Sequence, residues 1–354
     1  DKMYITHRHT GTAALLLIFV HVLTVPISTT GWRLGNYLAV ISFAGIVSIV
    51  LVTLAPRIPF LNRLAGADYE DWKKLKRWIG IFFILGFFHS LTVDALDART
   101  AITWTMIFFI IGTVSYLYTE VFSGIFKKSL PYKVEAVKHP NNSSTEVTLR
   151  PKKEPIKKQR AGQFLFVRFP SDKALNQSHP FTISSAPAED VLRLTIKASG
   201  NFTRDLFAKL KEGADAVIEG AYGMFDYKTG GMKQIWIAGG IGVTPFLSFI
   251  RDMNGSLTHD IDFYYTVRHP EEALFLDEIK AADERNPRLK TYVRFSATEG
   301  SLTIDHILKN TSGNIKDYHV YLCGPLPMIQ AFEQKFLALG LPKRQIHFEE
   351  FNFR

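Results

Sequence analysis

Four apolar stretches crowd the first third of the chain, at about residues 10–26, 37–55, 78–96 and 101–122. Each is long enough to cross a bilayer core as a helix. One such run could be a buried soluble helix, but four in succession with short links predict a membrane bundle. Residues 1–128 hold only 12 of the 42 Lys and Arg and 7 of the 33 Asp and Glu, so the remaining 226 residues carry an ordinary soluble charge mixture. The link between the second and third stretches carries Arg57, Arg63, Lys73, Lys74, Lys76 and Arg77, against Arg33 and Arg99 in the other two. Positive charge stays on the cytoplasmic side. This orientation puts the C-terminal region in the cytoplasm and makes lipid the first partner. The chain starts at Asp1 and is apolar within about ten residues, with no secretory signal pattern. Further helices upstream are expected.

Ionisable groups inside a bilayer need a role or a partner. His7 and His21 are 14 residues apart, which returns them to within about 40° of one helix face and about 21 Å apart in rise. His89 lies in the third stretch, at the outer level together with His21. Two facing helices that each offer an imidazole can hold haem iron. His21 with His89 is the preferred pair, and His7 is a candidate ligand at the inner level. The alternative is that each imidazole bonds a carbonyl or hydroxyl across helices. The single cysteine, Cys323, excludes a disulfide framework and a cysteine-based metal cluster. The basic balance, net +9, comes with no basic, aromatic-interleaved motif, so no nucleic-acid partner is expected. No obligate protein partner is inferred.

From about residue 129 to 230 the pattern is short strands separated by turns, as in a small antiparallel β-barrel. Expected strands cover 132–137, 163–169, 181–184 and 193–198. From 231 to 354 it becomes strand, glycine turn, helix and strand, the pattern of a doubly wound α/β domain. Its strands are expected at 235–238, 261–266, 290–294 and 319–322. The turn Gly239-Gly240-Ile241-Gly242-Val243-Thr244-Pro245 suits a pyrophosphate at a helix N-terminus, or tight packing without a ligand. In His179-Pro180-Phe181-Thr182-Ile183-Ser184, Thr182 and Ser184 alternate on one face and could bond a flavin edge. Lys197-Ala198-Ser199-Gly200-Asn201-Phe202-Thr203 reads as a second phosphate turn opening a helix. Cys323-Gly324-Pro325 ends a parallel strand, where such sheets place ligands, although Cys323 also suits a small buried position.

This order resembles the NADPH oxidase and ferric reductase transmembrane family, with bacterial NADPH oxidases the most similar. The resemblance spans essentially the whole chain. Residues 179–182 match the family's HPF[ST] flavin motif, 197–203 its flavin diphosphate turn, 237–246 its nicotinamide segment and 323–325 its CGP motif. Residues 220–223 read GAYG where GPYG is common. The resemblance implies an α-helical haem bundle, N-terminally incomplete, over 1–128. It implies a ferredoxin-reductase-like module beyond, with an FAD β-barrel over 129–230 and an NAD(P)H domain over 231–354. It also implies that Phe353 stacks on the flavin, beside Thr182 and Cys323 at the site of hydride transfer, unless it is simply a buried apolar tail. The family's fourth haem histidine aligns with Lys76, which leaves three readings of the inner level. A deprotonated lysine ligates there, His7 ligates alone, or the inner haem is absent, as in the STEAP metalloreductases.

The expected activity is transfer of electrons from NADPH, or NADH, through FAD and one or two haem b groups to an acceptor across the membrane. Oxygen giving superoxide is preferred, and a ferric chelate is the rival acceptor. A membrane-anchored flavin reductase without haem is the alternative class. Arg268 follows the second strand of the α/β sheet, where a guanidinium would meet a 2′-phosphate, unless it is a plain loop arginine. The basic run at 150–160 reads as a solvated loop or a lipid contact.

Overall fold

The computed structural model describes residues 2–25, 31–54, 77–92, 99–122, 129–253 and 258–349. The chain divides into two units, 1–127 and 128–354.

The first unit consists of helices α1 (Lys2–Thr24), α2 (Leu34–Leu54), α3 (Ile79–Thr92) and α4 (Arg99–Leu117), the last running on as a π-turn over Tyr118–Phe122. Each of the four expected stretches is thus helical over nearly all of its described residues. Among the described residues only Leu34–Thr53 is by itself long and apolar enough to cross a membrane, while His9–Thr24 and Ile79–Thr92 are apolar but shorter. Small residues let α2 and α3 approach. A Cβ on Gly45 would lie 2.2 Å from the Phe82 ring, and Ser42 donates to the Phe82 carbonyl at 2.7 Å. Phe87 and Phe109 stack between α3 and α4. Large apolar side chains, Leu17, Leu23, Phe108 and Val114 among them, face outward.

The second unit begins with six antiparallel strands in the order β4-β3-β6-β1-β2-β5. They are β1 (Leu130–Asn141), β2 (Ser144–Pro151), β3 (Phe164–Arg168), β4 (His179–Thr182), β5 (Leu192–Lys197) and β6 (Asp215–Tyr222). An Ile183–Leu194 bridge joins the two ends of the sheet and closes a barrel. Alternating inward side chains, such as Val147 and Leu149 or Leu165 and Val167, fill its interior. Helix α5 (Asn201–Lys209) follows β5.

Five parallel strands come next: β7 (Lys233–Gly239), β8 (Asp260–Val267), β9 (Leu289–Phe295), β10 (Tyr318–Cys323) and β11 (Ile346–Glu349). Their order is β11-β10-β7-β8-β9, so the winding reverses between β7 and β10. Helices α6 (Thr244–Asp252) and α7 (Leu276–Arg285) connect the strands on one side of that reversal. A short helix at Ile304–Leu308 and α8 (Leu326–Ala338) belong to the other. Separate cores centred on Trp236 with Phe246 and on Leu322 with Phe336 fill the two faces. The strands are buried on both sides, which explains why Ile235-Trp236-Ile237-Ala238 is apolar without alternation.

The basic run between β2 and β3 is largely neutralised. Arg150 forks onto Glu135, Lys152 meets Asp215, Lys157 meets Glu154 and Arg160 meets Asp226.

Candidate functional site

In the barrel, β4 pairs with β3 so that Thr182 lies opposite Phe164 and Pro180 opposite Phe166. Thr182 is 6% exposed, and its buried hydroxyl has no hydrogen-bond partner among the described residues. An unpaired buried hydroxyl costs about 1–3 kcal/mol, so it marks a place for a ligand's polar edge. Ser184, the other half of the alternation, is spent internally: its hydroxyl donates to the Arg193 carbonyl and lies 3.1 Å from the Thr195 hydroxyl. His179 is structural too. Its ring stacks on Phe202 at 3.9 Å and lies 3.3 Å from the Gln177 amide oxygen. Phe181 packs on the barrel core and the same Phe202 ring. Phe202 thus seats the start of α5 against β4.

The turn before α5 is closed by Thr203, whose hydroxyl accepts the N–H groups of Ser199 and Gly200, each at 2.9 Å. The N–H groups of the helix's first turn stay available to an anion. The Lys197 ammonium lies 3.9 Å from Glu272, so a phosphate there would compete with a carboxylate.

The glycine turn and the CGP turn sit side by side at the carboxyl ends of β7 and β10, the switch point of the sheet. They interlock. A Cβ on Gly242 would lie 2.3 Å from the Cys323 carbonyl oxygen, and one on Gly239 2.9 Å from Pro325. A Cβ on Gly324 would lie 3.0 Å from the Gly239 Cα. Gly239, Gly242 and Gly324 therefore serve packing. Gly240 differs: its φ is +55°, and nothing lies within 4 Å of the Cβ position. That open backbone, followed by Thr244 and Pro245 in the first turn of α6, is the element shaped for a diphosphate.

Cys323 is fully buried, and burial with the nearby Glu349 carboxylate pushes its thiol well above the usual range. It stays protonated, so it fills space at the strand end rather than attacking as a thiolate. Glu349, directly across from Cys323 on β11 and 8% exposed, is a site residue that sequence reasoning missed. No local motif marks it; only the strand pairing does. Arg268 follows β8 and is exposed, with its carbonyl accepting from Ala297. Phe353 lies outside the described residues, as does Lys76.

In the helical unit, the His21 and His89 rings lie 6.3 Å apart between centroids. Two metal–imidazole bonds of about 2 Å, plus roughly 1 Å from each nitrogen to its ring centre, span about 6 Å. The His89 Nδ1 lies 2.9 Å from the Gly35 carbonyl oxygen, so it carries the proton and leaves Nε2 as the lone-pair nitrogen. This donor set fits a bis-imidazole haem site. His7 has no ring contact with another imidazole among the described residues.

Two family models match the second unit. An FAD-binding domain model matches residues 128–242, and an oxidoreductase NAD-binding domain model matches 236–334. The ferredoxin reductase component of 3-ketosteroid-9-alpha-monooxygenase from Rhodococcus rhodochrous is 25% identical over 197 residues, 54% of this chain and 56% of that protein. The chain spans a little over half the length of such curated relatives. The FAD/NAD-binding domain of a nitric oxide dioxygenase from Vibrio cholerae O1 biovar El Tor is 20% identical and covers 63% of this chain and 98% of its own, with a TM-score of 0.55. A flavohemoglobin from Malassezia yamatoensis with bound FAD and heme is 18% identical and covers 97% of this chain and 93% of its own, with a TM-score of 0.59. At these identities the likeness to the solved structures is one of fold. Residues 128–334 are thus an FAD-binding domain followed by an NAD-binding domain, an NAD(P)H oxidoreductase module of the ferredoxin-reductase type.

Proposed function

We propose that the chain is a membrane NAD(P)H oxidase: NADPH is oxidised at the second unit, and electrons leave through haem in the helical unit to oxygen, giving superoxide. The observation that carries this reading is the His21–His89 pair, with His89 held by the Gly35 carbonyl, in a helical unit whose apolar side chains point outward. The same chain carries the FAD and NAD domain pair. FAD, when bound, would supply the conversion of a two-electron hydride into the single electrons that haem chemistry requires.

The chain's own residues hold and orient these groups. The Thr182 hydroxyl receives the polar edge of the flavin ring, and the first turn of α5 faces its diphosphate. The open backbone at Gly240 and the N-terminus of α6 hold the nicotinamide diphosphate, and Arg268 meets the 2′-phosphate. Cys323, protonated and immobile, sets the floor beside the nicotinamide. His21 and His89 would hold haem iron through one imidazole each from α1 and α3, and haem so held would supply single-electron transfer. The basic sequence between the second and third helices supports a cytoplasmic side for the nucleotide domains. A ferric chelate is the rival acceptor.

A second reading comes from the relatives, several of which are reductase components of monooxygenases. On it, the helices are an anchor and the second unit serves a protein acceptor. Absorbance of the full chain purified from haem-replete cells separates the two. A Soret band that His89→Ala abolishes, with NADPH-reducible alpha and beta bands, is expected. A yellow protein without a Soret band would end the haem reading.

A further inference from the structure

One face of α6 carries two buried polar side chains, Ser248 and Arg251, three residues apart and so on the same side of the helix. Ser248 is fully buried, and the Arg251 side chain is 7% exposed. The Ser248 hydroxyl donates to the Ser185 carbonyl at 2.7 Å, and the Arg251 Nη1 donates to the Ser184 carbonyl at 2.8 Å. Both carbonyls belong to the barrel, two and three residues beyond Thr182. The rest of the guanidinium is taken up by carboxylates. Its Nε and Nη2 fork onto Glu278 of α7 at 2.7 and 2.8 Å, and Nη2 lies 3.6 Å from Glu146 of β2. The Phe275 ring covers the guanidinium at 5.2 Å.

Such a cluster is a poor source of stability. A buried carboxylate, Glu146, and a partly exposed one, Glu278, share one cation, the Glu146 Oε1 has no hydrogen bond among the described residues, and apolar residues of the same volume commonly do as well. A planar fork provides direction, which apolar packing cannot. The helix so fixed is the one that the glycine turn opens, and Ser248 lies about 6 Å along its axis from Thr244. A short rigid chain therefore runs from the turn at 239–243, through α6, to the carbonyls of 184 and 185, and back along the strand to Thr182.

We infer that Ser248 and Arg251 are positioning residues for hydride transfer: by holding the Ser184 and Ser185 carbonyls they set the separation between the nicotinamide turn and the flavin edge at Thr182. This rests on the NAD(P)H oxidoreductase module and is independent of the haem reading. Hydride transfer requires reacting atoms within about 3–3.5 Å, and a 1 Å misplacement costs on the order of 10²-fold.

The test uses the full chain in detergent, loaded with FAD, mixed anaerobically with NADPH and followed by flavin bleaching and by the long-wavelength nicotinamide–flavin charge-transfer band. Ser248→Ala and Arg251→Lys are compared with wild type. The expected result is a roughly 10- to 100-fold slower bleaching at saturating NADPH and a weakened band, with FAD affinity and the NADPH concentration for half-saturation within about threefold of wild type. Ser248→Ala removes one hydroxyl, so it decides the matter alone if Arg251→Lys does not fold. Bleaching of Ser248→Ala at the wild-type rate, or slowing explained wholly by lost FAD or NADPH affinity, overturns the positioning role. Wild-type flavin that neither NADPH nor NADH bleaches overturns the oxidoreductase reading itself, and the positioning role with it.

Discussion

Thr182→Val should change sign with the flavin. Valine has nearly the shape of threonine, so the substitution removes a hydroxyl and little else. Without FAD that hydroxyl is buried and unpartnered. An unpaired buried polar group costs about 1–3 kcal/mol, and replacing it should return about 1–2 kcal/mol of stability. In a unit of this size 1 kcal/mol corresponds to about 2–4 °C, so the FAD-free variant should melt roughly 2–8 °C above the FAD-free wild type. With FAD the balance reverses. The hydroxyl then has a partner, and its loss should weaken FAD binding by about 1–2 kcal/mol, roughly 5- to 30-fold. Melting curves with and without FAD, together with a flavin fluorescence titration, measure both halves. Ser184→Ala is the control. Its hydroxyl already bonds the Arg193 carbonyl, so the FAD-free protein should be destabilised. A Thr182→Val variant that melts lower than wild type in the absence of FAD, or binds FAD as tightly, would refute the assignment.

Four further outcomes follow from the geometry. Gly242→Ala must push its own backbone and that of Cys323 about 1 Å further from each other to clear the Cys323 carbonyl; it should cost about 1–3 kcal/mol in denaturant unfolding and slow flavin reduction by roughly 10- to 100-fold. Gly240→Ala meets no atoms and should cost only the left-handed strain of about 1–2 kcal/mol. Arg268→Ala should lower kcat/KM for NADPH on the order of tenfold while leaving NADH unchanged; equal loss with both cofactors would remove Arg268 from the 2′-phosphate. Burial raises the Glu278 carboxyl, but the Arg251 fork together with Arg193 and Arg285 lowers it more, so its folded value lies below the usual range. Its contribution is present above the ordinary carboxylate range and is lost as pH falls through the folded value. Wild type should therefore lose stability on acidification more steeply than Glu278→Gln, measured by denaturation from pH 6 to about pH 3.

The helices of the first unit and the parallel strands of the second were legible because their apolar patterns are long and their burial is uniform. The site was legible only in outline. Thr182 and Ser184 are equivalent in a strand alternation, yet one hydroxyl is spent on Arg193 and Thr195 and the other is free, a difference made by the neighbouring strand. Among the turn glycines, sequence marks flexibility but not whether a backbone or a ligand needs the space; Gly242 answers to the Cys323 carbonyl and Gly240 to open solvent. Arg251 reads as the solvated face of an amphipathic helix. Its burial depends on Glu146, more than a hundred residues upstream, and on Glu278, which only the fold brings near. The basic run at 150–160 read as a solvated loop or a lipid contact, and its pairing was not legible because its partners, Glu135, Asp215 and Asp226, are distant in sequence. Glu349 was missed for the same reason.

The interlocked turns at 239–242 and 323–325 also bear on how such a protein can drift. Gly242 and Gly324 have no room to acquire a side chain alone, because the space it would fill is the other loop's main chain. A substitution at either of these two positions is tolerable only if the facing loop moves with it, so this part of the cofactor-facing rim behaves as one heritable unit split across more than eighty residues of chain.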